Sequence, residues 1–522
     1  MRRAALRPDR ALPFPVQFAI VFVAACVNAA SAAWPFAHLF DSGGPIWPLQ
    51  TASMAALIWV LQRTPSVKSA ALAGLGFATV WLSATFWWLY IAMHTYGGLN
   101  GGLAAVAVVA LAAALGTYYA AASAGFRALG RARPWMASAG FAAFWTVAEM
   151  ARGTWLTGFG WGAVGYAHTD GPLGWYAPWL GVYGVGAIAA FVAASIATMA
   201  RRAWVPLAAM LVLLAAPALA PVALNQWTLP AGELSVTLLQ GNIAQNEKFE
   251  SGSGVPVALQ WYGEQLQASR SGLVVAPETA IPLLPTQLPE GYWPALTRQF
   301  ASDGRAALIG IPLGSYLEGY TNSVVGLQPN QVQIWRYDKH HLVPFGEFIP
   351  PMFRWFIDLM HIPLGDFNRG PLAQPSFKVA GQRLAPNICY EDLFGEELGM
   401  RFADAASAPT VFVNVSNIAW FGDTIAIDQH LHISRMRALE FQRPFVRATN
   451  TGSTVILDHR ANVAAALPRL TRGVLTGTVQ GRTGNTPYAW WVSHFGLWPL
   501  WILMLVTGAW ALWAARRRDK EA

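Results

Sequence analysis

Between residues 14 and 225 the chain carries very few charges, and that deficit decides most of what it can become. A helix that crosses a bilayer needs about 20 predominantly apolar residues. Runs of that kind are read at 15–34, 46–62, 69–93, 102–126, 135–151, 175–199 and 203–224, with an eighth at 493–514. Only 12% of the whole chain is charged, whereas soluble domains carry about 25%. Residues 232–490 have the mixed composition of a globular domain, and roughly 250 residues suffice to enclose a full core. The expected organisation is a seven-helix transmembrane domain over 1–225, a soluble domain over 232–486, a closing transmembrane helix over 493–514 and a basic tail over 515–522. The first apolar run resembles a signal peptide, but more apolar chain and further spans follow it, which predicts a retained helix.

The net charge of +8 gathers at the ends of these runs. Arg2, Arg3, Arg7 and Arg10 precede the first run, Arg63 and Lys68 follow the second, and Arg127, Arg131 and Arg133 follow the fourth. Arg201 and Arg202 follow the sixth, and Arg516, Arg517, Arg518 and Lys520 end the chain. The alternate connections, 35–45, 94–101 and 152–174, hold only Arg152. Lys and Arg collect on the cytoplasmic side of a membrane protein. Both termini are therefore expected in the cytoplasm and the soluble domain outside it, tied to the bilayer at both ends. The same placement makes membrane lipids, not nucleic acid, the expected partners. The connection 152–174, with Trp155, Phe159, Trp161 and Tyr166, reads either as an interfacial loop or as part of a lipid-facing entry.

In the soluble part, short β-branched runs recur at 234–241, 272–276, 306–311, 322–327, 331–337, 383–389, 410–415, 445–450, 453–458 and 474–479. Helical patterns lie among them at 255–270, 291–302, 394–405 and 425–442. This mixture predicts a layered α/β domain. Many strands lie close in sequence, which favours two packed sheets with helices outside over one doubly wound sheet.

Three chemical groups stand at the ends of strand-like runs. Glu278 follows Leu273–Ala276 between Pro277 and Pro282, Lys339 lies in Tyr-Asp-Lys-His-His, and Cys389 lies in Asn-Ile-Cys-Tyr-Glu-Asp. The only other cysteine, Cys26, lies in an apolar run and reads as a small hydrophobe. A thiolate is a nucleophile, and a free thiol needs a base or a cation beside it. A partly buried carboxylate suits the base, and a fixed ammonium suits an oxyanion. Together they outline covalent catalysis through a thioester. Each also has an ordinary reading: a turn carboxylate, a solvated lysine, an inert buried thiol.

The order Glu, Lys, Cys, with Pro277-Glu278 and Cys389-Tyr390-Glu391, resembles the nitrilase (carbon–nitrogen hydrolase) superfamily. Leu239-Gln240-Gly241-Asn242-Ile243, Leu342-Val343-Pro344-Phe345-Gly346-Glu347 and Trp420-Phe421-Gly422-Asp423 narrow the resemblance to the apolipoprotein N-acyltransferase family. The resemblance implies an αββα nitrilase-like domain outside the cytoplasmic membrane of a bacterium, on the periplasmic side. It implies transfer of an acyl chain from a phospholipid to the α-amino group of a diacylglyceryl-cysteine at a lipoprotein N-terminus, without a cofactor. Cys389 would be the nucleophile, Glu278 the base and Lys339 the oxyanion partner. Glu347, Glu391 and Tyr390 would support them, and Phe249, Trp420 and Phe421 would contact substrate. Phe249 stands where the family pattern has Trp. No metal is expected, since His340-His341 lacks partners at ligand spacing.

Two rival readings remain. A membrane-tethered amidase would use the same three residues with water in place of the amine. A transporter or scaffold would need ionisable groups within its spans, and Glu149, near a span end, is the chief one. The apolar stretch 352–360 reads as an interfacial lid or as a core helix.

Overall fold

Apolar runs become helices where nothing interrupts their backbone pairing, and in this chain prolines open several of them. The computed structural model describes residues 12–521 apart from 131, 199–203, 332 and 351–365. The stretch 352–360 and the topology charges Arg2, Arg3, Arg7, Arg10, Arg131, Arg201 and Arg202 lie outside the described residues. The long apolar helices are α1 (Phe14–Ala32), α2 (Trp47–Leu61), α3 (Val67–Thr85), α4 (Gly101–Ala128), α5 (Pro134–Thr154), α6 (Ala177–Thr198) and α7 (Trp204–Leu219). Pro15, Pro48 and Pro134 sit in first turns, where a missing N–H costs nothing. Ser66 and Ser69 form a reciprocal capping box at the start of α3.

The chain forms two compact units, one from 1–87, 105–225 and 497–522, the other from 88–104 and 226–496. In the first, α5 packs on α6, and α1 packs on both α2 and α3. Phe77, Trp81, Tyr119 and Trp145 form its aromatic interior. Five helical segments among the described residues are long and apolar enough to cross a membrane: Phe14–Ala32, Val67–Thr85, Gly101–Ala128, Pro172–Thr198 and Trp498–Arg518. Their outer faces expose Phe18, Val106, Leu503 and Val506, which suits a hydrocarbon solvent.

Two readings of this region change. Arg152 is not a loop charge. It lies buried in the last turn of α5, where it donates to the carbonyls of Phe159 and Trp161 at 2.6 and 2.8 Å and to the Tyr119 hydroxyl at 2.9 Å. Glu149, one turn earlier, accepts from the Val164 amide at 2.9 Å. The two pin residues 159–164, so much of that connection, including Trp161 and Tyr166, is buried interior. The apolar run at 69–93 also does not continue as one helix. It stops at Thr85, and residues 88–104 join the second unit. There the Trp88 indole donates to Gln429 at 3.0 Å and its ring lies 4.2 Å from that of Phe421.

The second unit is built on strands β1 (Leu229–Gln240), β2 (Leu273–Ala276), β3 (Ala306–Ser315), β4 (Gly319–Leu327), β5 (Trp335–Asp338) and β6 (Phe377–Val379). It continues with β7 (Gln382–Ile388), β8 (Val411–Ser416), β9 (Phe445–Thr449), β10 (Val455–Leu457), β11 (Val463–Ala466) and β12 (Gly473–Thr483). These make two six-stranded sheets, ordered β12-β1-β2-β3-β4-β5 and β11-β10-β9-β8-β7-β6. The central strands β1, β2 and β3 run parallel, as do β7, β8 and β9. Alternation divides each strand between two faces. Val236, Leu238 and Val275 meet Leu384, Val413 and Val446 between the sheets. Leu239, Val274 and Ala276 turn outward onto helices α8 (Gly254–Ala268) and α9 (Tyr292–Ser302). Helix α10 (Ala426–Phe441) covers the other sheet, with Phe441 against Phe412 on β8. Helices α11 (Pro487–Phe495) and α12 (Trp498–Glu521) end the chain. The expected αββα sandwich is the observed one.

Candidate active site

Parallel strands deliver their C-terminal ends to one edge of a sandwich, and loops leaving those ends can converge. Glu278 leaves β2 and lies with its carboxylate almost wholly buried. One oxygen accepts from the Asn322 side chain at 2.7 Å and the other from the Asn417 backbone amide at 2.8 Å. Gly310 makes this turn possible. A Cβ there would overlap the Pro277 carbonyl and lie 2.7 Å from the Glu278 Cα.

Lys339 follows β5 and is fully buried. Its Nζ is 2.9 Å from the Glu347 carboxylate and 3.5 Å from Glu278. Asn322 spans both carboxylates, donating to Glu347 at 2.7 Å as well. Burial opposes the ammonium, but Glu347 and Glu278 outweigh it and hold the Lys339 pKa above the ordinary lysine range.

Cys389 leaves β7 with φ at +54°. That left-handed conformation is strained for a residue with a Cβ, and it aims the side chain out of the strand. The Asn414 amide of β8 holds the Cys389 carbonyl at 2.7 Å. Burial and the neighbouring Glu278 push the thiol up to about 12, against the pull of Lys339. The resting group is a protonated thiol in electrostatic reach of Glu278, Lys339 and Glu347, so the structure brings together the three residues singled out in the sequence.

Glu391 ties two of the loops together. It accepts from the backbone amides of His340 and His341 at 2.7 and 3.1 Å, from Ile388 N at 2.6 Å, and from the Tyr337 hydroxyl at 2.9 Å. Burial raises its pKa and the Ile388 amide works the other way. Tyr390 donates to Leu342 O at 2.7 Å, and its ring centre lies 5.7 Å from Lys339 Nζ. Trp420 and Phe421 are engaged by the 88–104 segment, Trp420 edge-on to Tyr96 at 5.8 Å and Phe421 against Trp88. Phe249 is 40% exposed, with the Lys248 Nζ 6.0 Å from its ring centre.

Sequence reasoning passed over Asn322, Asn417 and Lys248. The Lys248 ammonium is buried and donates to the Glu278 backbone carbonyl at 2.9 Å. Burial brings its pKa down to about 7, although Glu278 and Cys389 favour the charge. Its adjacency to Phe249 was the one available signal. Gln245 accepts from the Asn417 side chain at 2.8 Å and lines a cavity of about 280 Å³ together with Asn242, Thr451, Leu470 and Tyr96. The cavity wall is thus two hydrogen-bonded residues away from the Glu278 carboxylate.

Residues 29–195 match the family described as apolipoprotein N-acyltransferase N-terminal domain, and residues 235–488 match carbon-nitrogen hydrolase. A protein of Verminephrobacter eiseniae named apolipoprotein N-acyltransferase is 56% identical over 520 residues, covering 95% of this chain and 96% of that one. One of Ralstonia nicotianae with the same name is 46% identical, covering 85% of each. Among solved structures, a carbon-nitrogen hydrolase from Helicobacter pylori G27 is 14% identical, covers 48% of this chain and 90% of that chain, and has a TM-score of 0.33.

Proposed function

Because the chain belongs to the apolipoprotein N-acyltransferase family, we propose that it N-acylates the N-terminal diacylglyceryl-cysteine of lipoproteins, taking the acyl chain from a phospholipid. The observation that carries this reading is the convergence of a thiol with a buried carboxylate and a buried ammonium at strand ends. A thiol pushed up to about 12 does not ionise by itself at neutral pH, so a base must take its proton as it attacks. Glu278 takes that proton, and Cys389 Sγ attacks the phospholipid ester carbonyl. The oxyanion faces the Lys339 ammonium. The acyl C–O bond breaks, the lysophospholipid oxygen recovers the proton from Glu278, and a thioester remains. In the second half the substrate amine attacks the thioester and gives its proton to Glu278. The C–S bond breaks, Cys389 is reprotonated, and an amide is formed. Glu347 fixes Lys339, and Glu391 fixes the loops of Lys339 and Cys389. Tyr390 supports the catalytic residues, and Phe249, Trp420 and Phe421 are assigned to the walls that receive the substrates.

The protein is a membrane protein. The reading places it in the bacterial inner membrane, with residues 232–486 on the periplasmic side and both termini in the cytoplasm. The distribution of Lys and Arg between alternate connections supports this.

The test is intact mass of detergent-purified protein incubated with phospholipid and no acceptor. The wild type should gain one acyl mass that hydroxylamine removes, and Cys389→Ala should gain none. A diacylglyceryl-cysteine peptide added next should discharge the adduct and appear N-acylated. Free fatty acid without N-acyl peptide would favour hydrolysis instead.

A further inference from the structure

Against the Cys389 carbonyl lies a second group of buried polar side chains that the proposed chemistry does not use. His430 and Ser434 come from α10, Arg447 from β9, and Asp392 from the turn after Cys389. All four are 0 or 1% exposed. Arg447 donates to His430 Nδ1 at 3.1 Å and to Asp392 Oδ2 at 3.1 Å. Ser434 bonds to both Asp392 and Arg447. The His430 Nε2 lies 3.0 Å from Asp392 Oδ1 and 3.2 Å from the Cys389 carbonyl oxygen.

These contacts settle a tautomer. A guanidinium can only donate, so the Nδ1 that meets Arg447 is an acceptor. The ring proton is then on Nε2, facing two acceptors, the Asp392 carboxylate and the Cys389 carbonyl. Burial lowers the His430 pKa, with Asp392 opposing and Arg447 assisting, which keeps the ring neutral.

We infer that His430 is a positioning residue for acyl transfer: held in its Nε2–H form by Arg447 and Asp392, it grips the Cys389 carbonyl and keeps the nucleophile in its left-handed conformation. The inference rests on the proposed role of Cys389. A positive φ at a residue with a Cβ is strained and persists only where surroundings over-determine it. Asn414 and His430 supply that constraint from two different elements, β8 and α10. Without the His430 donor, residue 389 relaxes toward extended backbone and Sγ swings away from the substrate carbonyl. A displacement of about 1 Å at a reacting atom costs roughly 10²-fold in rate.

The test uses His430→Gln, His430→Asn and His430→Leu in the full-length protein, with melting curves to correct for the folded fraction. Thioester formation from phosphatidylethanolamine in detergent micelles is followed by intact mass, and Cys389 alkylation by iodoacetamide is followed in parallel without lipid. Gln carries an N–H to the position of Nε2, whereas Asn falls short and Leu has none. The expected result is a rate within a few-fold of wild type for Gln and roughly 10²-fold lower for Asn and Leu, with the KM for phospholipid unchanged. Equal rates for Gln and Asn, or a loss that appears in KM alone, would overturn the inference, and so would a wild-type rate for Leu. If the wild type forms no thioester, the proposed function fails, while the alkylation rates still decide whether His430 positions the thiol.

Discussion

Desolvation and the neighbouring Glu278 hold Cys389 on the thiol side, and that defines what Glu278 must do. With the thiol pushed up to about 12, only about one part in 10⁵ is thiolate at pH 7. Glu278→Gln keeps the shape and the acceptor for the Asn417 amide but removes the base. Thioester formation should fall roughly 10²–10⁴-fold in a time course of intact mass. Lys248 gives a different signature. Its pKa in the fold is about 7, while an unfolded lysine titrates near 10.4. Between pH 7 and 9 the unfolded chain binds the extra proton, so this residue makes stability rise with pH across that window. Lys248→Met should flatten that rise in melting temperature and leave the protein at least as stable at pH 7. Glu278, Lys339 and Cys389 could be singled out because each sits in a distinctive motif at the end of a strand-like run, whereas Glu347 and Glu391 came forward only through the family resemblance. Asn322 and Asn417 could not be singled out, because a side-chain amide and a backbone N–H leave no pattern in sequence, and for Lys248 adjacency to Phe249 was the only signal. Arg447 did carry a signal, a charge inside the apolar strand Phe445–Thr449, and buried arginines are rarely without partners.

At the scale of elements, the β-branched runs marked ten of the twelve strands and missed β6 and β11. Strands β6 and β11 have three and four residues, and β11 is largely exposed with no apolar face to read. The helical reading at 394–405 shrank to a short helix, Gly395–Gly399, followed by a single 3₁₀ turn. Gly399 packs so closely on Val492 that no side chain fits there, a tertiary reason invisible in the local pattern. Gly310 is the corresponding case at the site. Gly310→Ala would drive a methyl group into the Pro277 carbonyl and the Glu278 Cα, and backbone cannot rotate away. Overpacking of this kind costs about 1–3 kcal/mol. A lower melting temperature with a fall in thioester rate larger than the loss of folded protein is the expected outcome. Gly272, outside this turn, is the control, since a Cβ there meets only ordinary contacts.

For the whole molecule, composition separated the apolar part from the α/β part but misassigned the stretch that begins at Trp88. Hydropathy cannot distinguish a Trp-Leu-Tyr-Ile run that enters a bilayer from one that packs on protein. Trp88 is 1% exposed, and Trp88→Ala removes both the Gln429 bond and the Phe421 contact. Truncating a buried tryptophan costs about 3–5 kcal/mol. The loss should appear as faster hydrogen exchange in α10 and around Phe421, with exchange in α1 and α2 unchanged. The backbone passes between the two units at 87/88, 104/105, 225/226 and 496/497, so neither unit is one uninterrupted stretch of gene. Recombination that exchanges only codons 226–496 between homologues would therefore seat a foreign Phe421 against a resident Trp88. Chimaeras that carry 88–104 along with the exchanged block should be the ones that survive selection.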